Sequence, residues 1–482
     1  MSTSSSNGDG LPVELQYLAK PSNKSQNKKH IVIVGGGIIG ACTAYYFTKH
    51  PKFNASDYHV TVLESVEVAG GASGKAGGLL ASWAFPEEIV SLSFQLHQDL
   101  SDEYNGEVNW GYRRLKTLSL EADLANADNG QLLEKVYDLK VPAPKKKNKV
   151  ESNITNSESD RENESDSGSG SEDHEDGDDN DNDNGMLEVN VSSHNLPKDV
   201  TWINRNLISE WSSLGGTDST AQVHPYQFTT FIMSKAMESG AVDLVLGKLN
   251  KINLDSEGVA NSLTFIPTSP DIELKELIEI KNIHKTVLTM GPWISKVLLD
   301  CPISGLRAHS IVIQPNSEKT KSSITNSLTP YALFTEIQLP DNQFFSPEFY
   351  ARKDELYICG EGDTFIELPD TLDEVSVTTE KCDELLNYAS KILSKNILEN
   401  GPVIKKQACY LPVLNVPTSS GPLIGETNVK DLIVASGHSC WGINNAPATG
   451  KVVSEIILEG NSTSADISKL DPTLFFDASI LD

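Results

Sequence analysis

The 482-residue chain contains no run of about 18 apolar residues, so no segment reads as a membrane-spanning helix. Its first 29 residues are rich in Ser, Asn and Lys and lack the apolar stretch of a signal peptide. A cytoplasmic protein is the expectation. The six cysteines, Cys42, Cys301, Cys359, Cys382, Cys409 and Cys440, are scattered without Cys-x-x-Cys spacing. That pattern points to neither a zinc site nor a disulfide scaffold, so no metal is expected and the thiols read as reduced. Positive charge is also scarce: 39 Lys and Arg stand against 67 Asp and Glu, a net charge of -28. Nucleic-acid binding needs clustered cations and is set aside. No repeat of solenoid period is present.

The acid that is present is concentrated. Between Glu151 and Asp183 there are fourteen Asp or Glu against the single Arg161. A segment this polar cannot offset its ordering entropy, and residues 143–186 are expected to be a disordered insertion. The cluster Lys145-Lys146-Lys147-Asn148-Lys149 precedes it. Ser157, Ser165, Ser169 and Ser171 lie among the acids, which leaves two readings: a solvated loop, or a segment that docks a protein partner and is set by phosphorylation.

The chemistry begins at His30-Ile31-Val32-Ile33-Val34, an apolar run that stops at Gly35-Gly36-Gly37-Ile38-Ile39-Gly40 and continues as a helical stretch through Phe47. In a strand-turn-helix of this kind Gly35 permits the tight turn and Gly37 lets backbone approach a pyrophosphate. Gly40 lets helix and strand pack closely, and the helix N-terminus offers free N–H groups. A second strand, His59-Val60-Thr61-Val62-Leu63, ends in Glu64, about 24 residues past Gly40, where a carboxylate can accept from a ribose. The pattern predicts a dinucleotide site.

Further apolar runs stop at glycine: Val242-Asp243-Leu244-Val245-Leu246-Gly247, then Thr286-Val287-Leu288-Thr289-Met290-Gly291-Pro292-Trp293, then Asp431-Leu432-Ile433-Val434-Ala435-Ser436-Gly437-His438. The last leads into Gly442 and a helix beginning near Asn444 to Ala446 and continuing through Gly460. A fold that begins and ends with strand-glycine-helix units can hold both ends of one long cofactor. Between these runs, Ser310–Gln314, Ala332–Ile337 and Glu355–Gly360 alternate apolar and polar residues and read as a mostly antiparallel sheet.

The first glycine turn, the loop Gly70-Gly71-Ala72-Ser73-Gly74-Lys75-Ala76-Gly77-Gly78, the block Val287–Trp293 and the closing Gly437-His438-Ser439-Cys440-Trp441-Gly442-Ile443 together resemble the D-amino-acid oxidase/glycine oxidase/sarcosine oxidase family. Within it the chain is similar to the fungal oxidoreductases of the "topoisomerase I damage affected" group. The resemblance implies FAD at the first turn, with cofactor contacts at Gly35, Gly37, Ile38, Ile39, Gly40, Glu64, Ser73, Gly74, Lys75, Gly77, Gly78, Leu246, Gly291, Trp293, Gly437, Gly442, Ile443 and Asn445. It implies an α/β fold: a discontinuous Rossmann-like FAD-binding domain with a second, mostly antiparallel-sheet substrate domain. FAD segments are expected over 30–110, 187–300 and 411–465, and substrate segments over 111–142 and 301–410, with tails over 1–29 and 466–482.

The activity implied is FAD-dependent oxidation of a C–N bond in a small-molecule amine or amino acid, with oxygen as acceptor. The catalytic candidates are Lys75, His438 and Trp441, each with an equally available structural role. Many amino-acid oxidases of the family carry Arg before Pro in the strand leading to the last motif, and that Arg grips a carboxylate. Here the sequence is Gln407-Ala408-Cys409-Tyr410-Leu411-Pro412, with Leu411 at that place. Arg113, Arg114, Arg307 and Arg352 are the alternatives, and Arg307, Arg352 and Tyr410 are taken as substrate contacts. Sarcosine-oxidase relatives attach flavin to a cysteine in a similar strand, so Cys409 is weighed as a covalent anchor against non-covalent binding. Two other functions stay open. One is an NAD-linked dehydrogenase, which leaves the closing glycine motif unexplained. The other is a regulatory protein on this fold, because members of the fungal group are linked to endosome-to-Golgi trafficking, which would put the protein at the periphery of late endosomes.

Overall fold

The computed structural model describes residues 14–124, 189–190, 196–274, 276–315, 328–339, 343–394, 397, 401–419 and 421–479. The chain divides into a unit of residues 1–127 and 188–482 and a second of residues 128–187. Every described residue belongs to the first. The acidic insertion, with its basic cluster and its serines, lies outside the described residues.

Strand Lys29–Val34 sits inside a nine-stranded sheet, between Tyr58–Glu64 on one side and Ile283–Leu288 on the other. Five strands run parallel, in the order Val242–Leu254, Tyr58–Glu64, Lys29–Val34, Ile283–Leu288, Leu432–Ser436. The chain leaves Lys29–Val34 to build one half and returns to its other side to build the second, so Gly35 stands at a topological switch point. Ligands in such sheets bind there, beyond the strands' carboxyl ends. Those ends are aligned: Val34 pairs with Leu63 and Leu288, Leu288 with Val434, and Leu246 with Glu64. Parallel strands covered on both faces read as continuous apolar runs, and Ile31 to Val34 are all buried.

One face is covered by helices Ile38–Lys49, Glu87–Tyr104, Pro225–Met237 and Gly442–Glu459. Helix Glu87–Tyr104 buries Ile89, Val90, Ser93, Phe94, His97, Leu100 and Ser101, spaced at three and four as a helix lying on a core requires. Helix Ile38–Lys49 is buried nearly all round because Gly442–Glu459 crosses it closely: a Cβ on Gly450 would stand 2.4 Å from the Cys42 carbonyl carbon.

The second nine-stranded sheet runs Val403–Leu414, Ile303–Ile313, Leu356–Asp363, Glu348–Ala351, Tyr331–Gln338, Lys116–Asp123, Ile208–Gly215, Val189–Asn190. Along this path all pairs are antiparallel except Tyr331–Gln338 with Lys116–Asp123. Its face bearing Leu118, Leu120, Ile311, Leu333, Phe349 and Ile358 packs with Cys382, Leu385 and Ala389 of helix Thr379–Ile392. A three-stranded sheet of Leu79–Ala81, Thr220–Gln222 and Arg113–Arg114 completes the fold.

The structure differs from the sequence reading at three places. Residues 14–29 are not a loose tail: Tyr17–Leu18 adds a parallel strand beside Val242–Leu254, and Lys24 pairs with Asp243 at 2.8 Å. Strand Ile208–Gly215, assigned to a FAD segment, pairs with Lys116–Asp123 in the second sheet, because its register partners there lie about ninety residues upstream, beyond the reach of pattern reading. Residues near the C-terminus also pack back, with Leu470 and Ala478 buried and Asn428 Nδ2 donating to Asp477 at 2.6 Å.

Candidate cofactor and substrate site

The glycine turn is held from both sides. Gly35, at φ +109°, donates its N–H to Leu63 O at 2.8 Å, and a Cβ there would lie 2.7 Å from Thr289 O. Thr289 Oγ1 donates to Val34 O at 2.9 Å, tying the turn to the next strand. A Cβ on Gly40 would fall 2.0 Å from Gly35 O, so any side chain would force helix and turn apart. At Gly37 a Cβ would meet only Ser73, whose Oγ lies 3.0 Å from it. Ser73 Oγ accepts from the Ile38 N–H at 2.9 Å, whereas the amides of Gly37 and Ile39 have no protein acceptor among the described residues. Free donors at a helix start beside open space are an anion site.

Glu64 ends the second strand inside the same cavity. Its Oε2 accepts from Gly36 N at 2.7 Å, and its Oε1 accepts from Val66 N at 2.9 Å and Ser65 Oγ at 3.1 Å. Burial raises its pKa and these bonds oppose the rise. Two carboxylate oxygens offer about four acceptor directions, so with three used, capacity remains for a hydroxyl donor.

The opposite end is the turn Ser439–Trp441 and the first residues of the 18-residue helix Gly442–Glu459. Pro447 removes the N–H that would have bonded Ile443 O four residues back, and His97 Nε2 meets that oxygen instead at 2.9 Å. Asn444 Oδ1 accepts from Ala81 N and Asn445 Nδ2 donates to Phe85 O, fixing the helix start laterally. His438 Nε2 faces Thr449 Oγ1 at 3.0 Å, and burial pushes its pKa down to about 3, which holds the ring neutral and makes it a weak base.

Between these ends lies one cavity of about 540 Å³, within the range of cofactor sites. Of the residues expected from sequence, Gly35, Gly37, Ile38, Ile39, Glu64, Ser73, Gly291, Trp293, His438, Tyr410, Gly442 and Ile443 line it. Others take structural places. Gly40 closes the turn. Gly74 packs under Ala69 O, Gly77 under the Tyr350 ring, and Gly78 against Val223 O. Lys75 Nζ donates to Ala408 O at 3.2 Å, away from the cavity wall. Leu246 pairs with Glu64 while Gly247 to Asn250 form the wall, Gly437 packs on Ile303, and Asn445 braces Phe85. Trp441 stacks edge-on against Trp83 and Phe85.

None of the four arginine candidates is free: Arg113 donates to the carbonyls of Ala351 and Leu328, and Arg114 donates to Gln98 Oε1 and Asp218 O. Arg307 pairs with Asp363 at 3.2 Å and donates to Ser376 Oγ at 3.3 Å. Arg352 donates to the carbonyls of Ala76 and Gly77 and pairs with Glu355. Tyr410 donates its hydroxyl to Ile366 O and Glu367 O, which leaves its ring as wall. Sequence reasoning missed Lys248, Lys296 and Asp370, an ion-paired group on the cavity wall with Lys296 Nζ 2.8 Å from Asp370, and Leu372, which sits over Gly70. No local pattern marks them, since they come from three separated segments.

Fold and cavity define a dinucleotide-binding protein of the two-sheet oxidoreductase type. The family model described as "FAD dependent oxidoreductase" (DAO) matches residues 30–181 and 186–456. The chain is 53% identical over 519 residues to "Putative oxidoreductase TDA3" of Saccharomyces cerevisiae, covering 96% of this chain and 97% of that protein. An oxidoreductase of Schizosaccharomyces pombe is 33% identical, with 92% and 98% covered. Glycine oxidase from Geobacillus kaustophilus shares the fold at 15% identity and TM-score 0.59, covering 92% of this chain and 99% of that one. L-Proline dehydrogenase from P. horikoshii does so at 17% and 0.58, with 93% and 98% covered. The chain belongs to the FAD-dependent oxidoreductase family of the DAO type.

The residues fit FAD: a side-chain-free cradle at Gly37, unpaired amides beside it, and a buried carboxylate at Glu64. Glu64→Gln should weaken FAD binding about tenfold or more, since a charged acceptor is lost, as read by fluorescence titration of flavin-free protein. An unchanged Kd would remove Glu64 from the ribose role. A second outcome concerns acid. Burial holds His97 at about 4 against an unfolded value near 6.5, so its stabilising effect is complete above about pH 6.5 and is lost as pH falls. Between pH 6.5 and 5.5 this costs about 1 kcal/mol, and urea unfolding of His97→Gln should show a pH dependence shallower by that amount.

Proposed function

We propose that the protein oxidises a carbon–nitrogen bond of an amine or amino acid, with FAD as redox group and oxygen as acceptor. The observation that carries this reading is one continuous cavity joining the phosphate cradle at Gly37 to the helix start at Gly442 and Ile443. The names of the structural neighbours, among them glycine oxidase and L-amino acid deaminase from Proteus myxofaciens, support the substrate class. Bound FAD supplies the hydride acceptor. The chain's own part is to bind and orient. The amides of Gly37 and Ile39 receive phosphate oxygens and Glu64 accepts from hydroxyls. The positive end of helix Gly442–Glu459 favours negative charge at the far end of the cavity. Trp293, Tyr410, Leu411 and Pro412 wall the cavity with largely apolar surface. Burial pushes the Cys409 thiol up to about 11 and its side chain is not on the cavity wall, which supports non-covalent binding.

Purified protein should carry the visible flavin bands, lose them to the supernatant on acid precipitation, and release hydrogen peroxide with an amine or amino acid. Protein that is colourless and takes up no added FAD sinks the reading. The acidic composition of residues 151–183 supports a second role, docking of a protein partner in endosome-to-Golgi trafficking by a cytoplasmic protein peripheral at late endosomes. Deleting that segment should leave turnover intact and abolish partner capture, and undiminished capture would dispose of the docking role.

A further inference from the structure

One face of the second sheet, packed against Trp441 of the turn whose Ser439 and Cys440 line the cavity, carries an unusual side-chain set. Glu348 lies directly opposite Cys359 and beside Phe334, and Tyr350 lies opposite Tyr357. Side chains alternate across a strand, so these residues share one face, while their neighbours Phe349, Ile358 and Leu333 fill the core on the other. Trp441, from the turn that closes the cavity, packs against the cluster containing Tyr350 and Tyr357, with Phe334 and Cys359 around it. Cys440 of the same turn lines the cavity. Burial and the nearby Glu348 charge push its thiol up to about 11.

On this aromatic face Glu348 is half-buried and has only neutral partners among the described residues. Tyr350 donates its hydroxyl to Oε2, and Cys359 Sγ donates to the same oxygen at 3.5 Å. No Lys, Arg or His pairs with it among the described residues, and burial raises its pKa. The arginines of the region are engaged elsewhere: Arg307 with Asp363, Arg352 with Glu355, and Arg113 on the carbonyls of Ala351 and Leu328. Leu411 adds no charge to the cavity wall. Gln222 is buried with neither amide atom bonded, on the strand position opposite Leu79 of the same cluster.

We infer that the substrate is a cationic amine without a carboxylate, and that Glu348 receives its ammonium group between the rings of Phe334, Tyr350, Tyr357 and Trp441. The inference rests on the oxidase reading and narrows its substrate. A buried carboxylate lacking a counter-cation gains most from a cation, and aromatic faces add to that attraction. A substrate carboxylate would meet like charge with no arginine to hold it.

Calorimetric titration of the flavin-loaded protein tests this with two matched sets: benzylamine, benzoate and phenylglycine, and propylamine, propionate and 2-aminobutyrate. At least one of the two amines should bind, more tightly than its anion and its zwitterion, and Glu348→Gln should weaken that binding about ten- to hundredfold. Anions or zwitterions binding as tightly as the amines, neither amine binding, or unchanged amine affinity in Glu348→Gln would overturn the assignment. The wild-type comparison stands alone if the variant does not fold. Flavin absorbance of the same samples keeps the two readings apart: a flavin-free protein undermines the oxidase, whereas a flavin-loaded one that prefers carboxylates undermines only the amine.

Discussion

The passage from Val34 into helix Ile38–Lys49 leaves room for backbone and for nothing else. Side chains are refused at Gly35 by Thr289 O and at Gly40 by Gly35 O, and the one glycine with space beyond it, Gly37, opens on the cavity. Because the strand that delivers this turn sits at the switch point, the elements that return later, Ile283–Leu288 and Leu432–Ser436, are aligned by hydrogen-bond register to the same edge. The cavity is therefore a consequence of strand alignment. Its far wall depends on it too, since helix Gly442–Glu459 reaches its position only by crossing Ile38–Lys49 at the Gly450 contact with Cys42.

The site is built almost wholly from neutral or internally paired groups. His97 and His438 are held neutral by burial, one completing a helix that proline interrupts and the other bonded to Thr449. Arg307 and Arg352 hold the second sheet and the loop after strand two in place. Such a site does chemistry by orientation and electrostatics around a cofactor, in keeping with the absence of a general acid–base pair among the cavity residues. Glu64 and Glu348 are acids without a cation among the described residues, Glu64 held by backbone N–H groups and a hydroxyl and Glu348, beside the turn that closes the cavity, by a hydroxyl and a thiol.

Much of the nucleotide half was legible in the chain. The apolar run into Gly35, the glycine spacing, the acid ending the second strand and the later runs stopping at glycine all match observed strands and turns, because each is a short-range pattern with one steric explanation. The loop Gly70–Gly78 was legible only in part. Its first half lines the cavity, but Gly74, Gly77 and Gly78 are small because the Ala69 carbonyl, the Tyr350 ring and the Val223 carbonyl press on them. A glycine does not state whether ligand or protein needs the space.

The sequence by itself determined the class of cofactor site, since backbone sterics at Gly35, Gly37 and Gly40 and a carboxylate at Glu64 act within a few residues of chain or across one strand pair. Tertiary structure alone decided which charges are spent and which are left. Arg352 is paired with Glu355 and donates to carbonyls about 275 residues away, Lys75 donates to a carbonyl 333 residues on, and Glu348 meets no cation at all among the described residues. Pairing of charges is a matter of distance in space, and those distances are set by strand register between segments far apart in the chain.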